Sequence, residues 1–346
     1  MHHLIYYLSV FTIISTIIPF IRHDYWVFRV FEYPRLQKLC LNIVLLTVIL
    51  TNWFPSEIWE KAVAILLLLN LIYLCYLIFP YTIFAKRQII SSRNPSGKQN
   101  LKILIANVYQ DNKKAKDYHE LINECEPDVI LLVETNQWWA EQMSTISRSY
   151  PHQITAPLEN TYGMLLYSKL PLNGEVNFLV ESDIPSIQAT VTLNSGQTVQ
   201  LFCLHPKPPV PQESTKSTER DKEILMIAVK AKESKLPVVV MGDLNDVAWS
   251  YTTDLFGKIS GLLDPRRGRG FFNSFNAKYF FLRFPLDHIF CSADFALKSI
   301  ARLRSCGSDH FPMCVNLEYA PQLAQKNEHP VASTAEKELT IEKINA

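Results

Sequence analysis

Hydrophobic residues follow two different regimes along this chain, with the change near residue 84. Before it lie three long apolar segments, Leu4 to Ile21, Leu39 to Phe54 and Ile58 to Ile83. The first and third are nearly free of charge over about 18 residues or more, the length at which a helix crosses a bilayer; the second is shorter but equally apolar. No polar stripe of helical period breaks them, so three transmembrane helices are predicted over residues 1–84 in preference to a soluble helical core. The first segment does not read as a cleaved signal peptide. It lacks a basic start and a small-x-small cleavage site, and two more apolar segments follow it.

Residues 85–100 are polar, contain Pro and Gly, and read as a linker. From Leu101 the pattern becomes an alternation of strands and helices. Strands are predicted at KILIANV, DVILLV, MLLY, IQATVTL, TVQLFCL, VVVM, LDHIF and MCVNL. An amphipathic helix fits KDYHELINEC, and further helices fit Gln137 to Ser147 and Thr218 to Lys232. Strand-rich alternation of this kind points to an α/β protein, most simply a layered sandwich of sheets covered by helices. Residues 320–346 have few large apolar side chains and read as a disordered polar tail. No internal repeat is present.

Charge adds an orientation. Arg22, Arg29, Arg35 and Lys38 lie in or beside the first loop, only Lys61 lies near Glu57 and Glu60 in the second, and Lys86, Arg87, Arg93 and Lys98 follow the third segment. The positive-inside rule then puts the first loop and everything after residue 84 in the cytoplasm, although so few charges leave the periplasmic orientation open. A net charge of +1 argues against a generally basic nucleic-acid binder. The seven cysteines show neither C-x-x-C nor Cys/His spacing, which disfavours zinc and a disulfide framework.

Candidate chemistry collects where strands end. PVVVMGDLNDVAWS, Pro237 to Ser250, is a buried strand that stops on Asp243 and Asn245, two short polar residues that a turn alone could explain. Other predicted strands end in the same way: Asn107 and Glu134 after the first two, His205 after VQLFCL, Asp287 in PLDHIF, and Asp309 and His310 before the last strand. Carboxylates with Asn oxygens are hard ligands suited to Mg²⁺ or Mn²⁺. The two histidines could donate to phosphate oxygens, and a free carboxylate could take a proton from water. G-x-S-x-G, Walker A and G-x-G-x-x-G motifs are absent, which leaves lipase, ATPase and dinucleotide readings without support.

Five motifs, ANV, PDVILLVE, GDLND, PLDHIF and GSDHFP, occur in order between residues 101 and 319. With them the region resembles the endonuclease/exonuclease/phosphatase superfamily, the metal-dependent group that includes DNase I, abasic-site endonucleases, neutral sphingomyelinases and inositol phosphate phosphatases. The apolar spans ahead of it are similar to those of bacterial membrane-anchored members, which implies an inner-membrane protein. The resemblance implies a DNase I-like four-layered α/β sandwich, two packed sheets flanked by helices, and a metal-dependent phosphoester hydrolase. By position it implies Glu134 as main metal ligand, with Asn107 and Asp309 beside it. Asp243 would orient or deprotonate the attacking water, Asn245 would contact phosphate, and Asp287 would hold His310, the general acid/base. His205 matches a histidine of only some members, and His288 reads as a core or surface residue.

The substrate stays open at this level. Acidic residues slightly outnumber basic ones after Leu101, yet Asp264 to Pro285 interleaves Arg266, Arg267, Arg269, Lys278 and Arg283 with aromatic residues. That composition suits nucleic-acid bases and phosphates, the headgroup level of a membrane, or a core filled from a long loop. A phosphodiesterase of endonuclease type is the leading expectation. A phospholipid or other membrane phosphoester hydrolase is the alternative, and a non-catalytic membrane binding protein the second. The bilayer is an expected partner through the N-terminal spans, and no obligate protein partner is implied.

Overall fold

A computed structural model describes residues 2–52, 55, 57–92, 94 and 97–346. Phe54 and Arg93 of the predicted spans and basic cluster lie outside the described residues. Helices α1 (His2–Ile17), α3 (Arg35–Asn52) and α4 (Ile58–Ile78) pack together around Tyr6, Leu45, Ile49 and Leu67. Within the bundle Asn70 Nδ2 donates to Asn42 Oδ1 at 2.8 Å, and Asn42 Nδ2 donates to the Leu67 carbonyl at 3.0 Å. Amides paired in this way hold apolar helices together where lipid supplies no competing donor. The outer faces remain apolar and exposed, for instance at Phe11, Val44 and Leu69. Among the described residues two helices, His3–Phe20 and Ile58–Tyr81, are long and apolar enough to cross a membrane. The second predicted span reaches that length only if α3 is counted with the short α2 (Trp26–Arg29) and the turn after it, across a 67° bend. Arg35 and Lys38 at the start of α3 are what shorten its apolar run.

The remaining chain forms two mixed sheets. One has the order β10 (Phe295–Arg302), β11 (Met313–Tyr319), β1 (Asn100–Asn107), β2 (Val129–Val133), β4 (Met164–Ser168) and β3 (His152–Ala156). The other runs β5 (Leu172–Asn177), β6 (Ser186–Thr192), β7 (Thr198–Leu204), β8 (Val238–Asp243) and β9 (Asp287–Cys291). Ile103, Leu131 and Val315 of the first sheet pack against Leu201, Val239 and Ile289 of the second. Helices α5 (Ala115–Cys125) and α6 (Gln137–Met143) cover the outer face of the first sheet; α7 (Thr218–Glu233) and α8 (Tyr251–Ser260) cover that of the second. Four layers result, as the DNase I-like expectation required. Strands β2, β4 and β8 are buried at every position because both faces are covered, hence their unbroken apolar runs.

The strands without a clear sequence signal are β3, β5 and β10, and each lies at the edge of a sheet. Half-exposed edge strands need no continuous apolar run, and β5, LNGEVN, has almost none. Helix α8 also lacked a clear signal in the sequence. Two segments differ from their expected character. The tail carries a helix, α9 (Thr334–Asn345), with a Ser333/Glu336 capping box. Lys343 bonds Asp24 at 2.9 Å and Asp221 at 3.1 Å, and Glu336 bonds Lys258 at 2.7 Å, so ion pairs and a cap hold what composition alone would leave disordered. The expected linker also docks: Ile89 is fully buried in the core between the sheets, and Ile90 and Ser92 bond the backbone of Leu297.

Gly97 is therefore not a clean boundary. A fragment beginning there forfeits the burial of Ile89, worth about 2 kcal/mol. We expect it to melt about 5 °C or more below a fragment beginning at Lys86, as read by thermal denaturation. Equal melting temperatures would contradict the docked segment.

Candidate active site

The polar strand ends converge because the two sheets bring them to one rim. Strand β8 runs through to Asp243, which pairs directly with Asp287 on β9. Gly242 makes the approach possible. Its φ is +145°, and a Cβ there would lie 1.9 Å from the Leu204 carbonyl oxygen. Just past the strand ends Glu134 and Asn245 adopt left-handed backbone, φ +57° and +50°, a conformation that costs a side-chain-bearing residue energy and collects at functional sites.

Three carboxylates, an amide and a histidine form one connected group. Asn107 Nδ2 donates to Glu134 Oε1 at 2.7 Å and to Asp243 Oδ2 at 3.0 Å, while its oxygen accepts the Tyr109 N–H at 3.0 Å. Asp243 Oδ1 accepts the Asn245 N–H at 3.0 Å, and its Oδ2 lies 3.5 Å from His310 Nε2. His310 Nδ1 meets Asp287 Oδ2 at 2.8 Å, and the His310 N–H donates to Ser308 Oγ. Asp287 is anchored in turn through its own N–H, which donates to Ser274 Oγ at 3.0 Å. The loop from Gly307 thus aims the histidine, and β9 fixes the acid behind it.

Burial acts on these groups in opposite directions. It disfavours the His310 charge, but the carboxylates of Asp287 and Asp243 outweigh it and raise the imidazole to about 10. His205 is buried with too little compensation and is lowered to about 4, so it is neutral where His310 is charged. Burial also pushes the Glu134 carboxyl up to about 7, the Asn107 hydrogen bond notwithstanding, and raises that of Asp243.

A cavity of about 430 Å³ opens over the group, and Glu134, His205, Asn245, Asp309 and His310 contribute to its wall. Of the residues singled out in the sequence, Asn107, Asp243 and Asp287 stand behind them, and His205 carries a buried Nδ1 without a partner among the described residues. Asn245 turns its Nδ2 to the Pro206 carbonyl at 3.0 Å. His288, which the sequence left as core or surface, is a core residue, bonded to Arg266 at 2.7 Å and to the Asp246 carbonyl at 2.8 Å.

Two supports gave no sequence signal. Tyr33 Oη and Arg220 Nη1 both donate to the Asn245 carbonyl, each at 2.8 Å, from the stretch between α1 and α3 and from α7.

Asp243, Asp287 and His310 are close enough to share a cation. Their short contacts instead form a carboxylate–imidazole chain, with His310 Nδ1 already committed to Asp287. Glu134 and Asp309 share the cavity wall with Asn107 bonded behind Glu134, and this set has the donor chemistry of a hard divalent cation site. It offers oxygen atoms, and burial with the Asp243 and Asp309 carboxylates outweighs the Asn107 hydrogen bond and the His310 charge at Glu134, a balance that a cation would reverse. A sequence model described as the Endonuclease/Exonuclease/phosphatase family matches residues 104–310, well over half the chain. The chain belongs to the endonuclease/exonuclease/phosphatase family. As a member it is a phosphoester hydrolase dependent on a divalent metal.

Solved structures agree on the fold. A D. rerio TDP2 complexed with a single strand DNA product aligns at TM-score 0.52 with 19% identity, covering 63% of this chain and 99% of its own. The human nocturnin catalytic domain with bound sulfate aligns at 0.52 with 16% identity, over 68% and 98%. An endonuclease/exonuclease/phosphatase from Beutenbergia cavernae aligns at 0.52 with 15% identity, over 64% and 72%. No curated protein sequence matches. Identities this low establish the fold alone.

Proposed function

We propose that this chain is a membrane-anchored phosphodiesterase of the family, using Mg²⁺ or Mn²⁺ and cleaving by in-line attack of water on phosphorus. The observation that carries the reading is the chain of contacts from Asp287 through His310 to Asp243 and Asn107 at the floor of one cavity. A cation held by Glu134 with Asp309 and Asn107 would supply Lewis-acid stabilisation of the charge that builds on phosphate.

The protein's own groups account for the rest. Asp243, its carboxyl raised by burial, accepts a proton as the water oxygen bonds to phosphorus. The charged His310 imidazole donates to a phosphate oxygen, and Asp287 fixes its orientation and stabilises its charge. Neutral His205 and the Asn245 side chain add polar contacts at the same wall. The ester oxygen leaves with the electrons of the broken P–O bond and takes up a proton. Loop 22–34 and the catalytic sandwich bond each other directly, Arg29 to Asp221 at 3.2 Å, so both lie on one side of the helices. The charge pattern favours the cytoplasmic side of a bacterial inner membrane for that side.

Nucleic acid, the substrate of several family members, draws little support from loop 264–285. Arg266 is bidentate to buried Asp264, Arg267 pairs with Asp254, and Arg269 bonds the Ile89 and Pro265 carbonyls. These cations hold the loop together and are not displayed for phosphates.

The reaction is tested with the full chain in detergent, methyl 4-nitrophenyl phosphate, Mg²⁺ and ¹⁸O-labelled water. Label should appear in the methyl phosphate product. Label in nitrophenol, or no metal-dependent turnover, would contradict attack at phosphorus by this site.

A further inference from the structure

We infer that the site acts on a phosphoester carried in a lipid bilayer, with the substrate's apolar chain lying against the cavity wall contributed by the loop between the first two membrane helices. This deepens the phosphoester-hydrolase reading above and rests on it.

The cavity has two chemical halves. Opposed to the carboxylates and histidines in character are Trp26, Val30, Tyr33, Pro209, Val210 and Pro211. The first three belong to the stretch that joins α1 to α3, so part of the pocket over the reacting group is made by the membrane anchor itself. That wall is fastened to the sandwich. The Trp26 N–H donates to the Thr215 carbonyl at 2.9 Å, and the Ser217 N–H donates to the Asp24 carbonyl at 2.8 Å. Arg29 is buried between Asp24 and Asp221, at 3.0 and 3.2 Å, and Tyr33 holds the Asn245 carbonyl. A nucleic-acid channel would want cations open to water; among the described residues no Lys or Arg lines this cavity, and its apolar wall is built at the ends of apolar helices.

A second observation places the mouth of the site at the bilayer. Tyr279, Phe280, Phe281 and Leu282 form an exposed apolar tip, with Phe280 78% exposed. The tip is tied to the membrane bundle, since Gln37 at the start of α3 donates from Nε2 to the Phe281 carbonyl at 2.9 Å. The tip therefore continues the exposed apolar faces of α1, α3 and α4 and is seated at the level where a helix enters lipid. Lys278 and Arg283 flank it, as cations flank aromatic residues at a headgroup layer. At the root of the same loop Phe275 packs 5.0 Å from the His310 ring. One loop thus runs from the bilayer contact to the histidine. A lipid whose phosphate rises to Glu134 and His310 can keep its chain against Val30 and Trp26 without crossing open water.

The test uses the full chain reconstituted in lipid nanodiscs with Mg²⁺ and two probes that share phosphate and leaving group: methyl and hexadecyl 4-nitrophenyl phosphate. We expect the hexadecyl ester to be cleaved with kcat/KM at least tenfold higher. Val30→Asp, which puts a charge on the apolar wall, should cut the hexadecyl-to-methyl ratio at least tenfold, mainly through KM. Phe280→Asp should also lower the rate on the hexadecyl ester. Equal rates on the two esters, an unchanged ratio in Val30→Asp, or faster cleavage of a single-stranded DNA oligonucleotide would overturn the inference while leaving the phosphoester-hydrolase reading in place. Absence of turnover on every probe would overturn both.

Discussion

Replacing His310 by Ala is expected to lower turnover about 10³-fold, the scale on which a positioned proton donor acts. Asp287→Asn should reproduce most of that loss. His310 Nδ1 meets Asp287 Oδ2 at 2.8 Å with both side chains buried, and the Asp287 and Asp243 carboxylates are what keep the imidazole charged against its burial. An amide at position 287 removes the charge and offers the wrong group to Nδ1, leaving His310 poorly oriented. If the two residues act as a unit, the double variant is little worse than His310→Ala, near 10³-fold; independent action would multiply the losses to about 10⁵-fold or more. Steady-state turnover of the three variants, with folding checked by thermal melting, separates the two outcomes.

The site was legible in the sequence because its parts obey local rules. Buried strands read as apolar runs, and Asn107, Glu134, Asp243 and Asp287 stand at or just past their ends, where a polar residue has no packing reason to be. Register is a different matter. Nothing local says that Asp243 faces Asp287 across β8 and β9, a pairing that depends on how far each strand extends. Nor does composition reveal that Tyr33, more than 200 residues before Asn245, reaches its carbonyl. The edge strands β3, β5 and β10 were hidden for lack of two covered faces. The tail reads as polar because ion pairs rather than large apolar residues attach it, and the segment 86–92 because one buried side chain, Ile89, and a few backbone bonds dock it. The basic loop gave the most misleading signal: Arg266, Arg267 and Arg269 signify charge in a sequence, but in the fold they are spent on carboxylates or carbonyls, and Arg283 lies over the Phe311 ring.

The second large effect concerns Glu134. Glu134→Gln keeps the shape of the side chain and an oxygen for the Asn107 amide, and removes only the ionisable carboxylate. Turnover should fall about 10²-fold or more, since the remaining oxygen donors cannot replace a carboxylate ligand. Stability should move the other way in chelator. Burial raises this carboxyl to about 7 from an ordinary 4.5, so its ionisation costs folding energy above about pH 4.5, and the neutral amide escapes that cost. Metal binding would reverse the balance for the native residue alone, because a ligand that binds only the folded state raises its melting temperature.

One measurement bears most directly on the claim that this strand-end constellation is a divalent-metal phosphoesterase. The native chain and Glu134→Gln are stripped with chelator and titrated with Mn²⁺, and hydrolysis of the hexadecyl ester and the melting temperature are read on the same samples. The native chain should regain hydrolysis and melt higher as Mn²⁺ is added, and Glu134→Gln should do neither over the same range. Full activity of the native chain in chelator, or restoration of both proteins at the same Mn²⁺ concentration, would contradict the account.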